Sequence, residues 1–291
     1  FENKNSSDSS NNNTFSSSNH TNHSICSEHK KLTENSNNNN FNNSLVKHNS
    51  SNMHKNKNII NEFNKIFNTS IIDTQIKKLD LREKELGKGK INKLNMIEFN
   101  KLQTLWLNNN NIYDINILSK VKFKRLKELS LYNNNIIDIS ILEKAKFLQL
   151  EGLNLNDNKI SDISVLEKVK FNNLLGLGLD NNNISDIKVF ENVKFNQLQN
   201  LGLNNNKIND INVFRDISVF EKVKFYQLKC LGLSCNKISD INVFENAKFE
   251  QLEKLNLCGN NISNIDVFND LKFNHLQLLL WHKNEINTKK Y

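Results

Sequence analysis

The sequence predicts an α/β repeat solenoid, and three observations predict it. A unit opening LxxLxLxxNxI recurs eight times, with first leucines at Leu102, Leu126, Leu150, Leu174, Leu198, Leu228, Leu252 and Leu276. The steps are 24 residues, except one of 30 after Leu198. An L-x-L segment with strand alternation is followed in each unit by a short helical signal. No single unit can bury its own apolar face, so the units must stack on one another.

The elements follow in order. Residues 1–58 are rich in Asn, Ser and His and poor in aliphatics, and are expected to be disordered. In residues 59–75, Ile59, Ile60, Phe63, Ile66, Phe67 and Ile71 recur at helical spacing, which predicts a helix capping the first coil. The solenoid is expected over 76–291. Its first coil is degenerate: Ile76, Leu79 and Leu81 fit, but Lys84 stands where Asn is expected.

The eight regular units carry Leu three and five positions after the first Leu, from Leu105 and Leu107 to Leu279 and Trp281. The eighth position is Asn throughout: Asn110, Asn134, Asn158, Asn182, Asn206, Asn236, Asn260 and Asn284. Ile follows two residues later, from Ile112 to Ile286, and a Phe closes the connection to the next unit. The Asn column lies where the chain leaves the strand and its backbone needs partners. An amide side chain donates and accepts, so the column predicts a hydrogen-bonded ladder inside the solenoid. Asn204 and Asn205 are read as ordinary exposed loop residues.

Ser140-x-x-Glu143, Ser164-x-x-Glu167 and Ser218-x-x-Glu221, with the variant Asn242-x-x-Glu245, predict capping boxes on short convex helices. Lys122, Lys146, Lys170, Lys194, Lys224, Lys248 and Lys272 fall where they would suit the ends of those helices. In the long unit, DINVF (Asp210–Phe214) is followed by DISVF (Asp216–Phe220), a duplication expected to bulge from the convex side or its edge.

These columns resemble the leucine-rich-repeat family over residues 76–291. The resemblance implies a leucine-rich-repeat solenoid: a right-handed superhelix with a parallel β-sheet on the concave face and short helical segments on the convex face. The unit LxxLxLxxNxIxDIxxL is similar to two subfamilies. One is the regulatory subunit of protein phosphatase 1, which is nuclear and cytoplasmic and holds a Ser/Thr phosphatase catalytic subunit on its concave face. The other is the internalin type, secreted or surface adhesion proteins. Both favour shorter units than the 24 residues found here. The first implies a non-enzymatic, monomeric interaction scaffold in the cytoplasm or nucleus.

Several other functions find no support. No zincin, nucleophile-elbow or dinucleotide motif occurs, and the repeats hold two histidines, His275 and His282. His20, His23, Cys26 and His29 lack paired ligand arms, so no metal site is expected, nor any cofactor. Gly87-Lys88-Gly89-Lys90 lacks the phosphate-loop pattern and reads as a turn. The net charge is +8, but Glu143, Glu167, Glu191, Glu221 and Glu245 precede the convex lysines by three residues, which argues against nucleic acid. No stretch is long enough to span a membrane. Four cysteines do not make a disulfide scaffold, and free thiols are expected; a Cys235–Cys258 bridge is within reach but not needed. The sequence starts at Phe1 rather than Met, which reads as a fragment or a processed chain.

The concave face remains as the candidate binding surface. Its exposed positions are the second, fourth, sixth and seventh after each first Leu. They bring Trp106, Glu128 and Tyr132 to one end and Lys254, Leu278, Leu280 and His282 to the other, with Asp157 and Asp180 between. Gly152, Gly176, Gly178, Gly202 and Gly232 leave a smooth floor. Leu278 and Leu280 either contact a further cap or bind the partner. At about 4.8 Å per strand, eight strands make a face roughly 35–40 Å long, suited to a protein.

Overall fold

A computed structural model describes residues 50–214, 225–247, 249–269 and 273–285. The sequence readings at His20–His29, Asp216–Phe220, Ser218–Glu221, Lys224, Lys248, Lys272 and Ile286 lie outside these residues.

Nine three-residue strands form one parallel sheet in chain order. They are β1 (Lys78–Asp80), β2 (Thr104–Trp106), β3 (Glu128–Ser130), β4 (Gly152–Asn154), β5 (Gly176–Gly178), β6 (Asn200–Gly202), β7 (Cys230–Gly232), β8 (Lys254–Asn256) and β9 (Leu278–Leu280). The degenerate coil therefore contributes a strand like the others. The middle leucines pair in one row, Leu79 with Leu105 and so on to Leu255 with Leu279. The row faces inward, and from Leu79 to Leu255 each leucine is at most 2% exposed.

Behind it runs a second apolar row of Phe99, Phe123, Phe147, Phe171, Phe195, Phe225, Phe249 and Phe273, all buried. Each such side chain contributes about 1.5–3 kcal/mol of burial. Where the long unit interrupts the spacing, Phe214 packs on both Phe225 and Phe249, with ring centroids 5.7 and 5.8 Å apart.

In the described regular units the convex segments are 3-10 turns of three or four residues, such as Ser140–Glu143 and Ser164–Glu167, while the degenerate coil carries one of seven, Lys90–Met96. The structure corrects the expected capping boxes. The residues before these turns, Ile139, Ile163 and Ile241, make no side-chain cap, and Ser140 is the first residue of its turn. The Asp two positions earlier starts the turn instead. Asp138 Oδ1 accepts from Ser140 N at 2.7 Å, and Asp114, Asp162, Asp186, Asp210 and Asp240 repeat the contact. This is an Asx turn, and it suits a segment too short for an α-helix. Lys122, Lys146, Lys170 and Lys194 lie beyond these turns rather than on their last residues, and Lys122 pairs with Glu98 of the preceding coil.

The helix α1 spans Ser50–Phe67, so residues 50–58 are helical rather than part of the segment expected to be disordered. It stops short of residue 75, because Asn68 turns left-handed at φ 48° and Asn64 holds the chain end through Thr69 and Ile71. Phe63 and Phe67 are fully buried, and Phe63 meets Phe99 edge-on at 5.5 Å. The Gly87–Lys90 stretch joins two 3-10 turns. Gly87 lies so close to the Asn111 carbonyl that a Cβ would sit 2.1 Å from it, and Gly89 has φ 83°.

Candidate functional site

The concave face is built from three columns of side chains that act between coils. The innermost is the Asn column. Asn134 Nδ2 donates to the carbonyl of Leu107 in the preceding coil, 3.0 Å, and to that of its own Leu131, 2.9 Å. Its Oδ1 accepts from Ile112 N at 2.9 Å. Asn158, Asn182, Asn206, Asn236, Asn260 and Asn284 repeat the pattern. Asn110 does the same for the degenerate coil, accepting from Lys84 N at 2.7 Å. Backbone groups that a parallel sheet cannot reach are thereby satisfied.

The seventh column needs Asn for a different reason. Asn109, Asn133, Asp157, Asn181, Asn205, Cys235 and Lys283 all have φ between 51° and 59°. Asn and Asp enter this left-handed region more readily than other side chains. Asn205 is therefore not an ordinary loop residue, and its side chain also donates to Asn181. Asp157 accepts from Asn181 Nδ2 at 3.0 Å, so one of its oxygens is engaged.

The sixth column paves the glycine floor. A Cβ at Gly178 would lie 2.6 Å from Asn156 Oδ1, one at Gly202 2.8 Å from Asp180 Oδ1, and one at Gly232 2.4 Å from Asn204 Nδ2. Each glycine makes room for a polar side chain from the coil before it. Glu128 lies over Gly152 in the same way. These groups link along the sheet: Asp180 N donates to Asn156 Oδ1, Asn204 N to Asp180 Oδ1, and Ser234 N to Asn204 Oδ1, at 2.7–2.9 Å. Asp180 is only 4% exposed. Its carboxylate is a strut between coils, not the exposed contact expected from its column, and Asn204 is likewise structural.

Trp106 and Glu128 line one open trough with Asp180, a cavity of about 320 Å³. Trp106 does not stand alone: Lys78 Nζ lies 3.5 Å from its ring centre and Arg82 Cζ 4.6 Å. Arg82 is held by Asp80, with Nε–Oδ1 at 2.9 Å and Nη2–Oδ2 at 2.6 Å. That hydrogen-bonded pair holds the Asp80 carboxyl below its ordinary value. Lys78, Asp80 and Arg82 also border a larger hollow of about 790 Å³ beside the loop after α1. Sequence reasoning missed these three residues. Carrying the exposed columns back to Ile76 would have found them at its second, fourth and sixth positions.

Tyr132 is 38% exposed, and burial, then the Asp157 charge, raises its hydroxyl pKa. Lys254, Leu278 and Leu280 come together at the far end of the sheet around a small dimple. Tyr132, Asp157 and His282 line neither hollow. His282 Nδ1 lies 3.1 Å from Cys258 Sγ, whose pKa burial pushes up. Among the described residues no three His, Cys, Asp or Glu side chains are grouped to hold a metal. No described helix is long and apolar enough to cross a membrane.

Residues 100–144 and 124–168 match the family model described as Leucine Rich repeats (2 copies). No curated protein sequence matches the chain. Internalin C2 from Listeria monocytogenes is a similar solved structure, with 22% identity over 78% of this chain and 92% of its own, at a TM-score of 0.55. The ectodomain of the Arabidopsis thaliana receptor kinase GASSHO1/SCHENGEN3 has 20% identity over 68% of this chain and 26% of its own, at 0.50. The plant peptide hormone receptor RGFR1 has 18% identity over 67% of this chain and 33% of its own, also at 0.50. These structures share the fold with the chain. Family match, repeat columns and coil geometry agree: the chain carries leucine-rich repeats stacked as a solenoid.

Proposed function

We propose that this chain is a non-enzymatic interaction scaffold that takes a protein partner on its concave face. One observation carries the reading. The open side of the nine-stranded sheet is a face whose glycine-floored trough runs over β2–β6, with Trp106 in its lining, Tyr132 half-exposed on the neighbouring coil, and Lys254, Leu278 and Leu280 around a separate dimple at the far end. Nine strands about 4.8 Å apart make the whole face roughly 38 Å long, the scale of a protein interface. Aromatic side chains at its end suit binding hot spots. Two structural neighbours were solved with a bound partner, RGFR1 with RGF2 and GASSHO1/SCHENGEN3 with CASPARIAN STRIP INTEGRITY FACTOR 2.

The first partner to test is a Ser/Thr phosphatase catalytic subunit, on the resemblance of the repeat unit to the phosphatase regulatory type. In that reading the chain works as a monomer in the cytoplasm or nucleus. The experiment captures partners from native lysate with the full chain beside a Trp106→Ala/Tyr132→Ala variant, with mass spectrometry as readout. A phosphatase catalytic subunit captured by the wild type and lost by the variant supports the reading. Another protein lost by the variant keeps the scaffold and removes the phosphatase. Equal capture by both moves the site to Lys254, Leu278 and Leu280, where Leu280→Asp is the next variant.

A further inference from the structure

Two thiols and an imidazole fall on three successive coils, Cys235 in the seventh column and Cys258 and His282 in the sixth. Cys235 is exposed, with φ 53°. Its N–H donates to the Cys258 carbonyl at 2.7 Å, which fixes the two backbones side by side. Its thiol lies over Gly259, where a Cβ would be only 3.3 Å away, so no side chain stands between the coils there. Cys258 is 8% exposed, and its Sγ meets His282 Nδ1 at 3.1 Å. One thiol faces solvent, and the other is sheltered beside an imidazole nitrogen.

We propose that Cys235 and Cys258 are a dithiol that glutathione disulfide closes into a bridge between neighbouring coils. The Cys235 thiolate attacks one sulfur of glutathione disulfide, a Cys235–glutathione bond forms, and the first glutathione leaves as thiolate. The Cys258 thiol gives its proton to Nδ1 of His282. Its thiolate then attacks Cys235 Sγ, and the second glutathione leaves. Two protein thiols are oxidised and one glutathione disulfide is reduced to two glutathiones. The bridge turns Cys258 away from His282 and frees that imidazole on the concave side.

The test incubates the full chain, carrying Cys230→Ser, with glutathione disulfide and maps tryptic peptides without reduction. Residues 230–237 and 255–272 are separate tryptic peptides, so a Cys235–Cys258 link joins them unambiguously. The expected result is that link, formed in native buffer and absent in Cys235→Ser. Because Cys235 is exposed, this variant keeps the fold and its Cys258 stays reduced. The groups facing Cys258 are His282, Cys235 and Lys283. His282→Gln should slow closure at neutral pH, and the difference should shrink as pH rises. A persistent glutathione adduct on Cys235 without the link, a link formed only in urea, or Cys258 reacting equally fast in Cys235→Ser would overturn the proposal.

Discussion

Asn182 reaches back one coil to the carbonyl of Leu155, at 3.0 Å, while its Oδ1 accepts from Ile160 N of that same preceding coil at 3.0 Å. One buried amide thus satisfies a donor and an acceptor that the sheet leaves unpaired. Asn182→Ala strands both in an apolar interior. The expected cost is about 1–3 kcal/mol. Urea unfolding of the full chain measures it, and an unchanged midpoint would show the amide to be dispensable.

The neighbouring column answers to backbone conformation. Asn205 has φ 53°, and a β-branched residue fits that region poorly. Asn205→Val should destabilise by about 1–2 kcal/mol. Asn205→Gly should be much milder, since glycine enters the region freely. Equal losses for the two would assign the effect to the lost contact with Asn181 rather than to φ.

Gly202 makes room for Asp180. A methyl group there would stand 2.8 Å from Oδ1 of a nearly buried carboxylate that also accepts from Asn204 N and Nδ2. Gly202→Ala should cost about 1–3 kcal/mol through crowding. Added to an Asp180→Ala background, it should cost clearly less, because the crowded atom is gone. A double-mutant cycle reads the coupling, and strict additivity would mean that the two sites do not touch in solution.

Asp80 should titrate below an ordinary aspartate. Its folded pKa is depressed by hydrogen bonding to Arg82, so the pair's contribution is present above the unfolded pKa and disappears as pH falls through the folded one. Carbon-13 NMR of the carboxyl checks the direction, and Arg82→Met should return it toward the usual range. Both side chains are well exposed, so the change in stability should be small.

Sheet, coil period and Asn ladder were legible because each repeats at one offset along the chain. An apolar column that returns every 24 residues is buried by stacking one unit on the next. The candidate site was legible only as a face. Asn156, Asp180 and Asn204 act on glycines 22 or 28 residues ahead, so their contacts emerge only once the coils are stacked. The Ser-x-x-Glu pattern misled because the same residues can open an α-helix, while four residues form only a 3-10 turn that Asp138 starts from outside. Lys78 and Arg82 went unseen because Lys84 marked their coil as irregular, although its strand is regular.

β6 and β7 pair in the same register as β5 and β6, Leu201 beside Leu231 as Leu177 beside Leu201, although the first connection spans 30 residues and the second 24. Sheet spacing is therefore indifferent to connector length. The connection between two strands can gain or lose sequence while the sheet keeps its ruler. A foreign peptide grafted between Phe214 and Phe225 should be carried as cargo, with the strand register and the shape of the trough unaltered.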